Sequence, residues 1–153
     1  MPLLICLAVA LHDVDGPIHC QSGEKIRLQG IGATETNGRC NPNQPCVPGE
    51  PFVQRRVMAR AMSAVIARED LGKDGKPSLY GQAWFTRPVR LECDITGKSH
   101  KRLTAWCRLP NGTDLSCEAI KAGVAIRWSK FDRSDRLSSC RPERRLSGLR
   151  TLK

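Results

Sequence analysis

The order of strand, hairpin, helix, two further strands and a short closing helix predicts an α+β, mainly β domain. Its expected form is a five-stranded OB-type Greek-key barrel capped by two or three helices. Three observations carry this. At 153 residues the chain has room for one domain with one core. Apolar and polar residues alternate over short runs, as half-buried strands require. Clusters of Gly, Pro and Asn punctuate those runs.

Taken in order, residues 3–12 are apolar and read as a first strand. Asp15-Gly16-Pro17 is a strong turn signal. Residues 18–21 and 25–31 then read as a hairpin around Ser22-Gly23-Glu24, with Ile26 and Leu28 on one face and Arg27 on the other. Residues 32–50 are loop. Pro51 suits a first helical turn, and Val53, Val57, Ala61 and Val65 recur at four-residue spacing, so one amphipathic helix is expected over 51–69 with this stripe in the core. Arg55, Arg56 and Arg60 lie off the stripe. Residues 70–87 read as loop. Strands are expected over 89–95, which alternates apolar and charged residues, and over 102–109. Asp114 caps a short helix that ends at Gly123. Residues 1–131 form one domain in this reading, and 132–153 a basic, flexible tail.

Composition narrows the function classes. The net charge is +10, from 25 Lys and Arg against 15 Asp and Glu, which favours polyanionic partners. Aromatic residues are only 5% of the chain, so the core must be mostly aliphatic. Trp84, Phe85, Trp106 and Trp128 serve equally well as core anchors or as platforms for bases. Residues 1–11 are too short to span a membrane. They also lack the basic start and small-residue cleavage site of a leader, so the sequence is expected to begin downstream of one.

The chain has 8 cysteines, with no Cys-x-x-Cys pair and no histidine at a zinc spacing. Dispersed and even in number, they fit disulfides formed in an oxidising compartment, and a secreted or periplasmic location is expected. The pairing is open, and buried thiols are the alternative. Cys40 and Cys46 bracket a turn-rich loop and make a plausible local pair.

Several carboxylates and cations are candidates for chemistry. Asp13 and Asp15 lie two apart, so an extended chain points both to one face, where they could hold a hard cation such as Ca²⁺. Ordinary turn chemistry explains them equally well. Arg27 offers a planar guanidinium that can grip two phosphate oxygens, or make a surface ion pair. Arg102 stands beside Lys98, His100 and Lys101, a phosphate clamp or simply a basic loop. Glu35 is the only carboxylate between Gly32 and Gly49.

These residues lie in segments with a recognisable pattern. Asp13-Val14-Asp15-Gly16-Pro17-Ile18, then Gly23 through Ile31, then Glu35, resemble the Asp-Gly-Asp turn, hairpin and Ile-Arg-Leu-x-Gly-Ile-Asp-Ala-Pro-Glu segment of the thermonuclease (staphylococcal nuclease-like) family. Lys101-Arg102-Leu103-Thr104-Ala105 is similar to that family's Gly-Arg-Leu-x-Ala strand. The stretch from Asn111 to Trp128 is similar to its Gly-x-x-Leu-Asn-x-x-Leu-Val-x-x-Gly-x-Ala segment. The resemblance covers about residues 3–130, and the cysteine-rich form resembles exported bacterial members.

The resemblance implies a Ca²⁺-dependent nuclease acting on single-stranded DNA or RNA. It implies Glu35 as general base, Arg27 and Arg102 as phosphate clamps, and Asp15, with Asp13 beside it, as metal ligands. Gly16-Pro17 replaces the usual Thr and requires a one-residue shift. The main departure is Gly32, which stands where the family has its second metal-binding aspartate. Fewer charged ligands weaken a Ca²⁺ site. A second reading therefore stands beside the first: a catalytically inactive OB module that binds single-stranded nucleic acid or another polyanion through its basic face. In either case a monomer with no membrane partner is expected.

Overall fold

A computed structural model describes residues 1–35 and 37–143. Its strands are β1 (Leu3–Leu11), β2 (Ile18–Cys20), β3 (Lys25–Leu28), β4 (Ile31–Gly32), β5 (Ile66–Glu69), β6 (Ala83–Ser99), β7 (Arg102–Arg108) and β8 (Ile126–Arg127). Helix α1 spans Pro51–Ala61 and helix α2 spans Leu115–Lys121.

The barrel closes as the sequence predicts. Strands run β1-β2-β3-β7-β6, and β6 returns to pair with β1. β3 and β7 are parallel, with Arg27 opposite Thr104, and the other barrel pairs are antiparallel. A short β4–β8 pair sets Gly32 opposite Ile126.

β6 is longer than the expected 89–95 and begins inside the segment read as loop. It serves three neighbours because β1 pairs along one edge while β5 and then β7 pair along the other, and its register breaks twice. Between Trp84 and Val89 the pairing with β1 skips around Pro88, which has no N–H to donate. Near Gly97 the pairing with β7 skips once more.

The barrel interior is filled by Ala8, Leu11, Ile18, Ile26, Leu28, Leu91 and Ala105, all fully buried. Met58, Ala59 and Met62 close one opening and Leu115, Ala119 and Ile120 another part of the core. Each side chain here contributes roughly 1.5–3 kcal/mol by leaving water if it is the size of Val, Leu, Ile or Met.

The helix expected over 51–69 stops at Ala61. Glu50 caps it by accepting from the backbone N–H of Phe52 and Val53. Ser63 then adopts φ 59°, which ends the helical course, and residues 66–69 cross to β6 as β5. The valine stripe holds only in part, Val57 packing against the core. Val53 is 50% exposed and Val65 64%, while Gln54, Arg55, Met58 and Ala59 form the buried face. Arg55 can be buried because its guanidinium is held: it donates to Glu69 at 2.8 Å and to the carbonyl of His12 at 3.2 Å. Only its Nε lacks a partner.

All eight cysteines are paired. Cys6–Cys20 joins β1 to β2, Cys93–Cys107 joins β6 to β7, Cys40–Cys46 closes the loop after β4, and Cys117–Cys140 ties α2 to the chain beyond β8. Four disulfides indicate an oxidising compartment. No described helix is long and apolar enough to cross a membrane.

The folded part extends past residue 131, where the sequence suggested a tail. Leu137 is fully buried and Asp132 nearly so. The Asp132 carboxylate accepts from Arg127 Nε and from the backbone N–H of Arg136 and Leu137, each at 2.8 Å. Of the expected tail, residues 144–153 lie outside the described residues.

Candidate metal centre

The turn from β1 into β2 carries the first two carboxylates. Gly16 N–H donates to the Asp13 carbonyl at 3.1 Å, and Leu28 N–H donates to the Asp15 carbonyl at 2.9 Å. Gly16 lies so close to β3 that a Cβ there would collide with the Ile26 carbonyl, and its φ of +115° suits only glycine. The turn is thereby pressed onto the barrel, and Asp13 and Asp15 are each only 3% exposed.

Glu35 arrives from the loop after β4. Its backbone bonds to Arg39 and Gly38 hold that loop in a tight turn. One carboxylate oxygen from each of Asp13, Asp15 and Glu35 lies within 4.8 Å of the others. Two residues separated by about twenty positions from a third thus converge on one point, which spacing alone could not show.

Burying three carboxylates together disfavours their charge. Asp13 responds most: burial pushes its carboxyl well above the usual range, and Asp15, which shares a hydrogen bond with it, and Glu35 add to the rise. Glu35 is also raised, by burial and then by Asp15, against the opposing pull of Arg27 and Arg102. Asp13 Oδ1 is buried with no hydrogen-bond partner. An orphaned carboxylate oxygen beside two further carboxylates fits a cation, so the cluster could bind a metal ion.

Arg27 projects from β3 and donates from Nη2 to Asp15 Oδ2 at 3.0 Å. Its guanidinium carbon stands 5.9 Å from the Trp128 ring centroid, so the side chain is held between a carboxylate and an aromatic face. The side chain is still 21% exposed, so part of it stays open to solvent. Arg102, at the start of β7, does not join the carboxylates. Its charge reaches Glu35 and His12 across the rim.

Comparison with family models and with curated proteins finds no match to this chain.

Gln44 is the residue the sequence reading missed. Only 8% exposed, it points its amide at Asp15 Oδ2 from 3.5 Å. Asn41 donates to its other end at 3.1 Å. The loop that carries it folds back over Gly32, whose missing side chain leaves the space that the Pro45 carbonyl and the Gln44 stem occupy. Thr34, also buried, fastens the same loop by donating to the Val47 carbonyl. One signal was available: the Cys40–Cys46 pair marks a loop tied close to its own base.

Proposed function

We propose that this protein is a metal-dependent nuclease of the thermonuclease type, hydrolysing phosphodiester bonds in single-stranded DNA or RNA outside the cytoplasm. The observation that carries the reading is the convergence of Asp13, Asp15 and Glu35 with Arg27 in direct contact. Asp13 and Asp15 would hold the cation, and Ca²⁺ suits a set of hard oxygen ligands. A cation held there would supply neutralisation of the carboxylates and Lewis-acid polarisation of a phosphoryl oxygen. Glu35, at the edge of the cluster and half-buried, accepts the proton of an attacking water. Its raised pKa brings it nearer the working range of a general base. Arg27, together with Arg102, meets the negative charge that develops on the phosphoryl oxygens.

A second reading, a silent OB module that grips nucleic acid without cutting it, is favoured by two observations. Gly32 supplies no carboxylate, and Arg27 is already engaged with Asp15. Cleavage assays on single-stranded DNA and RNA, with Ca²⁺ and with chelator, separate the two. Metal-dependent cleavage that disappears in Glu35→Gln is the expected result. Salt-sensitive binding with no cleavage in any divalent metal would overturn the nuclease.

A further inference from the structure

The chain has 3 histidines, and all of them, His12, His19 and His100, line one open pocket beside the carboxylate cluster. Lys25, Lys101 and Arg102 line it too, and no carboxylate does among the described residues. Five separate elements build it. His12 follows β1, His19 is on β2, and Lys25 faces His19 across the β2–β3 pair. His100 and Lys101 make the turn into β7. Gln82 and Tyr80 come from the segment before β6, with Tyr80 87% exposed at the rim.

Nε2 of His19 is buried, with the Gln82 side chain as its polar neighbour. His12 directs Nδ1 to the Gly81 carbonyl at 2.9 Å, which leaves Nε2 for another contact. Lys25, Lys101 and Arg102 with no carboxylate among them select an oxyanion, and the exposed Tyr80 side chain beside them suits a planar group. The pocket adjoins the metal centre directly, because His12 precedes Asp13 in the chain and Arg102 acts electrostatically on both His12 and Glu35.

We propose that this pocket binds a second phosphate of the nucleic-acid strand, neighbouring the one presented to Asp13, Asp15 and Glu35. The inference rests on the nucleic-acid reading above and extends it. Arg102 stands between the two sites and serves both. A strand crossing the rim meets Arg27 on one side and the histidine pocket on the other, so affinity depends on chain length and not on a single phosphodiester.

The test is made in chelator, where no cleavage occurs. The three histidine Cε1–H resonances are followed by NMR while inorganic phosphate, a thymidylate dimer or a thymidylate hexamer is added. The hexamer is expected to move all three signals, and inorganic phosphate to move them only weakly. The double variant Lys25→Ala/Lys101→Ala, which leaves the proposed catalytic residues intact, is expected to bind the hexamer at least tenfold more weakly. Its salt dependence should be shallower by about 1.4 in slope, as two lost phosphate contacts on a single strand require. Parent-like thermal unfolding would show that the fold is unchanged. Hexamer binding that leaves the histidine signals unmoved, or an unaltered salt slope in the variant, overturns the pocket. A response to inorganic phosphate alone also overturns the strand proposal and assigns the pocket to a free anion. Cleavage with an unmoved pocket would leave the nuclease standing alone, and histidine shifts without any cleavage would leave the pocket without the nuclease.

Discussion

Gly32 and Pro45 occupy each other's space: a Cβ built on Gly32 would run into the carbonyl oxygen of Pro45. The position at which the thermonuclease resemblance would put a second metal-binding aspartate is therefore closed by backbone. Restoring one by Gly32→Asp is expected to push the 41–45 loop outward and carry Gln44 away from Asp15. Overpacking of this kind costs about 1–3 kcal/mol. Thermal unfolding and a Ca²⁺ titration of the variant check this. Lower stability together with weaker Ca²⁺ binding is the expected pair of results, and tighter binding at unchanged stability would refute the argument.

The Cys40–Cys46 disulfide holds that loop down, and Gln44 is its contact with the site. Replacing both cysteines by serine removes a short covalent loop, worth about 2 kcal/mol in the chain-entropy account. Gln44→Ala keeps the disulfide and removes only the amide. Groups that orient a ligand from behind commonly change metal affinity by roughly 10–100-fold. Both variants are expected to weaken Ca²⁺ binding by about tenfold, but only the cysteine variant should lose stability in chelator. Calorimetric titration and chemical denaturation distinguish them. Unchanged Ca²⁺ affinity in Gln44→Ala would remove Gln44 from the site.

Arg55 shows where the sequence stopped being legible. The barrel strands could be read because alternation and turn dipeptides are local. Asp13, Asp15, Arg27 and Glu35 could be singled out, because carboxylates and arginines at those positions are few. An arginine in a helix reads as surface, and only its distant partners, Glu69 and the His12 carbonyl, make its burial tolerable. Val65 continued the four-residue spacing past the true helix end for a similar reason: β5 exists through pairing with β6, which no local pattern announces. Leu137 is a single apolar residue in a charged stretch, buried by the Asp132 hydrogen bonds and the Cys140 disulfide. Gln44 looked like any polar loop residue.

The same burial makes Arg55 a stability prediction. Removing it by Arg55→Ala leaves Glu69 with only the more exposed Arg56 and opens a cavity under α1. Breaking a buried pair from one side costs about 3–5 kcal/mol. Arg56→Ala removes an exposed partner of the same carboxylate and should cost less than about 1 kcal/mol. Urea denaturation of the two variants measures the contrast, and equal losses would show that Arg55 is not the anchor of α1.

The raised carboxyls of Asp13 and Glu35 set the direction of the pH response. A carboxyl whose pKa is higher in the folded than in the unfolded chain keeps its proton longer when folded. The folded state then binds more protons in that interval, and stability falls as pH rises through it. For the metal-free protein the fall starts in the ordinary carboxylate range, 3.8 for Asp13 and 4.5 for Glu35, and continues upward. Glu69 and Asp132 are lowered and act in the opposite direction on the acid side, so the comparison with a variant isolates the cluster. In Asp13→Asn the amide N–H donates to Asp15 where the Asp13 proton did, and no buried charge has to form. The variant is expected to be about 1 kcal/mol more stable than the parent at pH 8 in chelator, with the difference vanishing toward pH 4. Excess Ca²⁺ should stabilise the parent at pH 8 and leave the variant nearly unmoved, because a bound cation keeps Asp13 ionised in the folded state. Denaturation curves at several pH values, with and without Ca²⁺, measure all of this. A variant that follows the parent's pH profile in chelator would mean that Asp13 is not the group whose ionisation opposes folding.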